Sequence, residues 1–396
     1  MTDLTLEQPP QPEQPSPAAV PATGGRGTVK ANRLGYSGQI GGVYRIWLLN
    51  IFLSVITLGI YSFWGKTRMR RYLTGCFRLG GDTFEYTGTG KELFVGFAKA
   101  SPILIGLYVI ALLLPPVAVI AVYLPILYLI PVAIFMSMRY RLNRVTWRGI
   151  RARLTGSPFR FGGFALWRMF LNVVSFGILI PASDIATYGY MANRAGIGNM
   201  RTRFEGKSSA LVATHVVTLI ISGVIVVAAI GAVFFAGGAA AMSGAGQEGA
   251  AAAASGVAFI AFLLAGVLIM LTRSFYHAAL MREKMRGLTL GSIRFKCTAT
   301  GLDVLKLRLG NLLLVVFTLG LAMPVVIHRR MKFSAQHLIV GGDLDSAELM
   351  QAAREKGAVG EGLDDLFGID TDIGLGYSSW PCRRGFLMVC SPVLTR

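Results

Sequence analysis

The sequence is short of charge. Asp, Glu, Lys and Arg make up only 15% of its 396 residues, against roughly 25% in an ordinary soluble domain. No charged residue occurs between Ala100 and Met138, and Glu248 is the single one between Ala210 and Thr272. At about 1.5 Å per residue, 100–138 alone make roughly 58 Å of helix, two crossings of a ~30 Å hydrocarbon core. A soluble fold is excluded, and a polytopic membrane protein is expected.

Cysteine and histidine are equally sparse. Cys76, Cys297, Cys382 and Cys390 show no metal-ligand spacing and no CxxC, and His215, His277, His328 and His337 are scattered. The chain has no P-loop, dinucleotide fingerprint, nucleophile elbow or zinc signature. No catalytic residue, metal or cofactor is therefore expected, and the chain reads as a non-enzyme. Residues 1–27 hold acids and prolines where a secretory signal needs basic and apolar runs, and read as a disordered tail.

Positive charge is what the sequence does have, 39 Lys plus Arg against 20 Asp plus Glu. Nine of the acids cluster between Asp343 and Asp372, so Thr28 to Val340 holds 33 bases and eight acids. These bases form short runs beside apolar segments, the positive-inside pattern, rather than the soluble basic module of a nucleic-acid binder. Anionic lipid headgroups are the expected partners, with a homo-oligomer as a further option and nucleic acid excluded.

A repeat organises the chain. Thr57-Leu58-Gly59-Ile60 recurs as Ser175-Phe176-Gly177-Ile178 and Thr318-Leu319-Gly320-Leu321, with Phe63, Pro181 and Pro324 four residues after each glycine. Short strands are expected on both sides: Val29–Tyr36 and Thr83–Thr87, Trp147–Leu154 and Asn199–Phe204, Ile293–Ala299 and His337–Val340. Gly38, Gly156 and Gly301 end the leading strands, and Gly38 to Gly88 repeats the spacing of Gly156 to Gly206. Helical hairpins at 94–138, turning at Pro115-Pro116, and at 210–272 separate the repeats. The expected architecture is membrane, mainly α-helical, with two transmembrane hairpins alternating with three β–(Thr-Leu-Gly re-entrant or interfacial helix)–β modules. Their strands form a small cytoplasmic sheet. Boundaries fall at a tail 1–27, module 28–90, hairpin 91–138, module 139–207, hairpin 208–273, module 274–345 and acidic tail 346–396.

If each Thr-Leu-Gly segment crossed the bilayer, 23 bases would lie on one side and 16 on the other. If each returns, all 39 share one side. The positive-inside rule favours the second arrangement, with both termini cytoplasmic.

The stretch Asn50-Ile51-Phe52-Leu53-Ser54-Val55-Ile56-Thr57-Leu58-Gly59-Ile60-Tyr61, then Trp64-Gly65-Lys66-Thr67-Arg68 and Arg71-Tyr72, resembles the YjgN-like family of bacterial inner-membrane proteins. Phe84-Glu85-Tyr86 and Arg139-Tyr140-Arg141-Leu142-Asn143 fit the same pattern. The resemblance covers roughly 28–375 and implies a multi-span inner-membrane protein, but no reaction. Ser62-Phe63 departs from it where a small residue and proline are expected, and residues 376–396 change composition abruptly, as a frame-shifted or read-through extension would.

Asp184 is the single acid in the three modules' apolar stretches, which makes it a substrate or proton candidate as well as a helix-start residue. His215 is a relay candidate. Asn50, Asn172 and Asn311 recur upstream of the glycines and converge if the repeats pack about a pseudo-threefold axis; interhelical hydrogen bonding is their ordinary use. Lys66, Arg68, Arg70, Arg71, Arg139, Arg141 and Arg144, with Trp64 and Trp147, are candidates for a headgroup-binding collar. Two functions compete: a transport or channel-like role, narrowly preferred, and anionic-lipid binding or membrane organisation.

Overall fold

The computed structural model describes residues 31–342 except 114, 115, 199 and 245. The tails 1–27 and 346–396, the atypical stretch 376–396 and the centre of the Pro115-Pro116 turn thus lie outside the described residues. Among the described residues, ten helices come in five successive pairs: α1 (Ile40–Ile56) with α2 (Ser62–Gly75), α3 (Gly90–Leu113) with α4 (Pro116–Asn143), α5 (Pro158–Val174) with α6 (Ile180–Ala192), α7 (Ser209–Met242) with α8 (Gly246–Arg286), and α9 (Gly301–Phe317) with α10 (Met323–His337). Between the pairs stand strand hairpins: β3 (Phe77–Leu79) with β4 (Asp82–Tyr86), β5 (Val145–Trp147) with β6 (Ile150–Leu154), β7 (Ala195–Ile197) with β8 (Met200–Phe204), and β9 (Leu288–Leu290) with β10 (Ile293–Cys297). The first strands, β1 (Ala31–Arg33) and β2 (Gly35–Tyr36), and the last, β11 (Leu338–Gly341), complete the set.

All eleven strands belong to one antiparallel sheet, ordered β1-β11-β10-β9-β8-β7-β6-β5-β4-β3-β2. The order closes on itself, because β1 and β2 are successive pieces of one strand separated only by Leu34. Arg33 pairs with Ile339 of β11 while Tyr36 pairs with Phe77 of β3, so β1 and β2 seal a barrel-like ring that has no free edge among the described strands. Each helix pair leaves the ring and returns to it between two strands. At the return points Ser37, Thr87, Thr155, Glu205 and Thr298 each donate a backbone N–H to the carbonyl of Cys76, Arg144, Arg194, Gly287 or His337 respectively, at 2.8–2.9 Å. The residue after each donor is Gly38, Gly88, Gly156, Gly206 or Ala299, so the fifth equivalent is Ala299 and not Gly301.

The described strands run close to the six expected places. Val29–Tyr36 corresponds to β1 and β2, while the expected 147–154 is divided at Arg148-Gly149 into β5 and β6. The three-residue strands β3, β5, β7 and β9 are not expected as separate elements, being too short to show a period of two.

The three Thr/Ser-Leu/Phe-Gly turns are alike in detail. In each, the glycine N–H bonds the carbonyl five residues back: Gly59 to Ser54 at 2.7 Å, Gly177 to Asn172 at 2.7 Å, Gly320 to Val315 at 2.9 Å. This is a Schellman end, but the left-handed residue is Leu58, Phe176 or Leu319, at φ 49°, 50° and 48°. Thr57 Oγ1 donates to the Leu53 carbonyl and accepts from the Tyr61 N–H, and Thr318 repeats this with Leu314 and Ala322. The first turn breaks as sharply as the others despite Ser62-Phe63.

Apolar residues of the strands (Phe84, Tyr86, Ile150, Leu154, Leu288, Phe295) pack against the bases of the helices in one buried core with Phe135, Tyr188 and Met285. Away from the ring the helices expose apolar side chains; Leu58, Phe176 and Leu319 at the turns are 94%, 89% and 93% exposed. The fold is mostly helical. Among the described residues, α7, α8 and α4 from Tyr123 onward are long and apolar enough to cross a membrane.

Candidate functional site

Asp184 lies on α6, three residues past Pro181, and is the one acid among the buried described side chains. Its Oδ2 accepts the Tyr276 hydroxyl of α8 at 2.7 Å. The Tyr276 ring stands 4.9 Å from the imidazole of His215 on α7. His215 Nε2 lies 2.9 Å from the Gly177 carbonyl oxygen, which can only accept, so Nε2 carries the proton. Nδ1 is left as a buried acceptor with no hydrogen-bond partner. Two residues singled out separately in the sequence, Asp184 and His215, are thereby joined through Tyr276 to the glycine turn of a short pair. Sequence reasoning misses Tyr276. Its signal, a lone tyrosine near the base of a long apolar helix, also fits an interfacial aromatic.

The three asparagines do not converge. Asn50 Nδ2 donates to the Gly65 carbonyl across its own helix pair at 3.0 Å, and Asn172 Oδ1 accepts from Ser183 Oγ at 2.7 Å in its own pair. Asn311 is buried, and its Oδ1 has no hydrogen-bond partner. Each belongs to a separate hairpin, because each stands on the outgoing helix of a pair that closes on itself.

The collar residues divide. Lys66, Arg68, Arg71 and Trp64 are exposed on α2, with Arg71 Nη2 donating to the Gly88 carbonyl at 3.2 Å. Arg139 is half-buried, and Arg144 is ion-paired with Glu92 at 3.1 Å. Arg70, Arg141 and Trp147 are buried and so leave the surface collar. Trp147 sits in β5, stacked on Phe84 at 6.2 Å, because its strand turns that face to the core. Although Lys66 is exposed as a residue, partial desolvation of its ammonium and the nearby cations Arg70 and Arg141 hold it below its ordinary value. Lys284, on the last turn of α8, is 1% exposed, with its ammonium 5.1 Å from the Tyr188 ring centroid. An open groove of about 330 Å³ between α5, α6 and β8 is bordered by Phe164, Tyr190, Arg194 and Phe204, and none of the sequence candidates lines it.

The face of the ring opposite the core is basic. Alternation puts Arg151 and Arg153 on one side of β6 and Ile150, Ala152 and Leu154 on the other. The same pattern recurs with Arg201 and Arg203 on β8 and with Arg294 and Lys296 on β10.

A family described as "Bacterial protein of unknown function (DUF898)" matches residues 31–366. The chain belongs to this YjgN-like family. One relative, "Inner membrane protein YjgN" of Salmonella typhimurium (strain LT2), is 38% identical over 60 residues, which is 15% of this chain and 15% of that protein. No solved structure matches the chain. The matched family region begins at β1 and includes the whole ring, so the sealed sheet lies within the YjgN-like unit.

Proposed function

We propose that this YjgN-like protein is a multi-pass inner-membrane protein with a transport-like role, in which the Asp184–Tyr276–His215 chain handles a proton or ion. The buried chain itself carries the reading: a carboxylate, a phenol and an imidazole with a free acceptor nitrogen meet between α6, α7 and α8, and the imidazole bonds the carbonyl of a broken helix turn. Intramembrane ionisable groups are costly, at roughly 2.5–3.5 kcal/mol for a charge at a helix centre, and are kept where they act. Broken helices in transporters hold their ligands at such turns.

The proposed topology sets the ring and both termini on the cytoplasmic side, with α3, α4, α7 and α8 crossing and the three short pairs entering and returning. Its support is dimensional. From the turn glycine to the nearest base (Lys66, Arg168 or Arg329), at about 1.5 Å per residue, the short pairs offer only about 10–14 Å of uncharged helix, no more than one leaflet. Uncharged α7, at 34 residues, runs about 51 Å. A left-handed Leu or Phe costs about 1–2 kcal/mol at each turn. Immersing that side chain in hydrocarbon returns about 1.5–3 kcal/mol, which offsets the strain.

A second reading, binding of anionic headgroups, has Lys66, Arg68 and Arg71 exposed beside Trp64 in its favour. No enzymatic reaction is proposed. Proteoliposomes holding a pH-sensitive dye separate the readings: the wild type is expected to collapse an imposed proton gradient faster than empty vesicles, with Asp184→Asn at least tenfold slower. Decay equal to that of empty vesicles removes the proton-linked role.

A further inference from the structure

The exposed face of the ring holds far more positive charge than its own acids neutralise. Strand register arranges the bases in rows. Arg203 and Arg294 flank Thr289, their common partner on β9. Arg153 and Arg201 flank Gly196 of β7, and Lys296 and Arg33 flank Ile339 of β11. With strands about 4.8 Å apart, the two bases of a row stand roughly 10 Å from each other, with an uncharged residue between. All six are exposed, as are Arg78 and Arg151 on the same face. Among the described residues only Arg203 of this set forms an ion pair, with Glu205 at 2.8 Å. Like charges at this spacing repel within a Debye length of about 10 Å at 0.1 M salt, so the bare face is electrostatically unfavourable and attracts a polyanion.

The chain carries a polyanion of its own. Residues 343–372 contain nine acids against Arg354 and Lys356, a net charge of −7. This segment follows directly on β11 and Gly342, at the ring itself. Its 30 residues span up to about 100 Å when extended, against a circumference of about 48 Å for ten strand spacings. It therefore reaches every row without strain, and at an effective concentration that a separate polyanion rarely matches.

We propose that the acidic segment 343–372 docks on the basic face of the strand ring and is its intramolecular counter-charge. Any cytoplasmic polyanion reaching the ring must then displace it. Neither the transport role nor the choice of crossing helices bears on this docking, since ring and segment are contiguous.

The test uses the full-length protein in nanodiscs and a carbodiimide, which joins an amine to a carboxylate in contact with it. At 50 mM salt, Lys296 is expected to couple to acids within 343–372, read by peptide mass spectrometry. The yield should fall at least tenfold at 1 M salt, where the Debye length is about 3 Å. Lys296→Arg keeps the charge and should abolish this coupling while leaving the fold intact. Exchange of Asp364 and Asp365 for lysine, remote from the folded ring in sequence, should lower the Lys296 yield. Absence of coupling to 343–372 at low salt overturns the proposal, and so does a yield indifferent to salt. Stoichiometric nucleic acid or lipid phosphate on the purified protein, lost in the Arg151→Gln/Arg153→Gln variant, also overturns it and makes the occupant external.

Discussion

The Tyr276 hydroxyl donates to Asp184 Oδ2 at 2.7 Å across 92 residues of sequence, tying the long helix α8 to the short helix α6. Both side chains are buried, so the bond fixes how a long pair leans on a short one. Tyr276→Phe removes the donor and strands a buried carboxylate, which costs about 1–3 kcal/mol. Asp184→Asn keeps an oxygen to accept the same hydroxyl. Thermal unfolding in detergent should therefore drop further for Tyr276→Phe than for Asp184→Asn; the reverse order would mean that the hydrogen bond is not what holds the pair.

The sides of the membrane are best read with introduced thiols. Cys76 and Cys297 are both buried, and burial raises both thiols above their ordinary value, so neither reports accessibility well. With these two and Cys382 and Cys390 all replaced by alanine, Glu85→Cys on the ring should react with an impermeant maleimide only in inverted vesicles. Ser243→Cys, at the α7–α8 turn, should react only from the periplasm. Leu58→Cys and Leu319→Cys should resist the reagent from the periplasm; labelling there would mean that the short pairs cross.

The seam that closes the ring is expected to be sensitive to acid. Tyr36 Oη and His328 Nδ1 lie 3.3 Å apart, joining β2 to α10, and Tyr44 Oη of α1 donates to the Leu321 carbonyl at 3.2 Å. Burial and the adjacent Lys332 lower the His328 basicity, while burial raises the Tyr36 phenol. A base whose folded value is depressed takes up its proton more readily when unfolded. Stability from the neutral ring is thus present above about pH 6.5 and lost as pH falls below it. The melting temperature should fall between pH 7.5 and 5.5, and His328→Gln should flatten that slope.

Thr300 and Asp303 form a capping box at the start of α9, with the Thr300 N–H donating to Asp303 Oδ2 at 2.9 Å. The hydrogen bonds from the Thr300 side chain and backbone hold the Asp303 carboxyl below its ordinary range. This contribution is present above about pH 3.9, the unfolded value, and is lost as pH falls further. Thr300→Ala should cost about 1 kcal/mol at neutral pH in chemical unfolding, with a smaller difference from the wild type in acid.

Gly196 leaves no room for a side chain. A Cβ there would stand 2.4 Å from the Met200 carbonyl oxygen, inside the β7–β8 hairpin. Gly196→Ala should lower the melting temperature sharply, whereas Gly41→Ala, with open space around it, should leave it unchanged or raise it.

Several elements are legible in the residues alone. The long hairpins follow from runs without charge, and the three short pairs from the repeated Thr/Ser-Leu/Phe-Gly turn, because a Schellman end is a local arrangement of six residues. Pairs of alternating bases, such as Arg201 and Arg203, are equally visible, but a count of charge per segment hides their alternation. The three-residue strands are not legible, since AGI or LTL is too short to carry a period. Nor is the pairing of β1 with β11, whose partners lie some 300 residues apart in sequence.

By itself, the sequence determined that the chain belongs in a bilayer, where its helices turn and where its bases gather, because each of these depends on neighbouring residues and their transfer energies. The tertiary structure alone decided that five helix pairs stand on one sealed ring, that Asp184 meets Tyr276, and that Arg70, Arg141 and Lys284 turn inward while the strand bases turn out. Those outcomes depend on strand register and helix rotation, which are settled only when distant segments pack together.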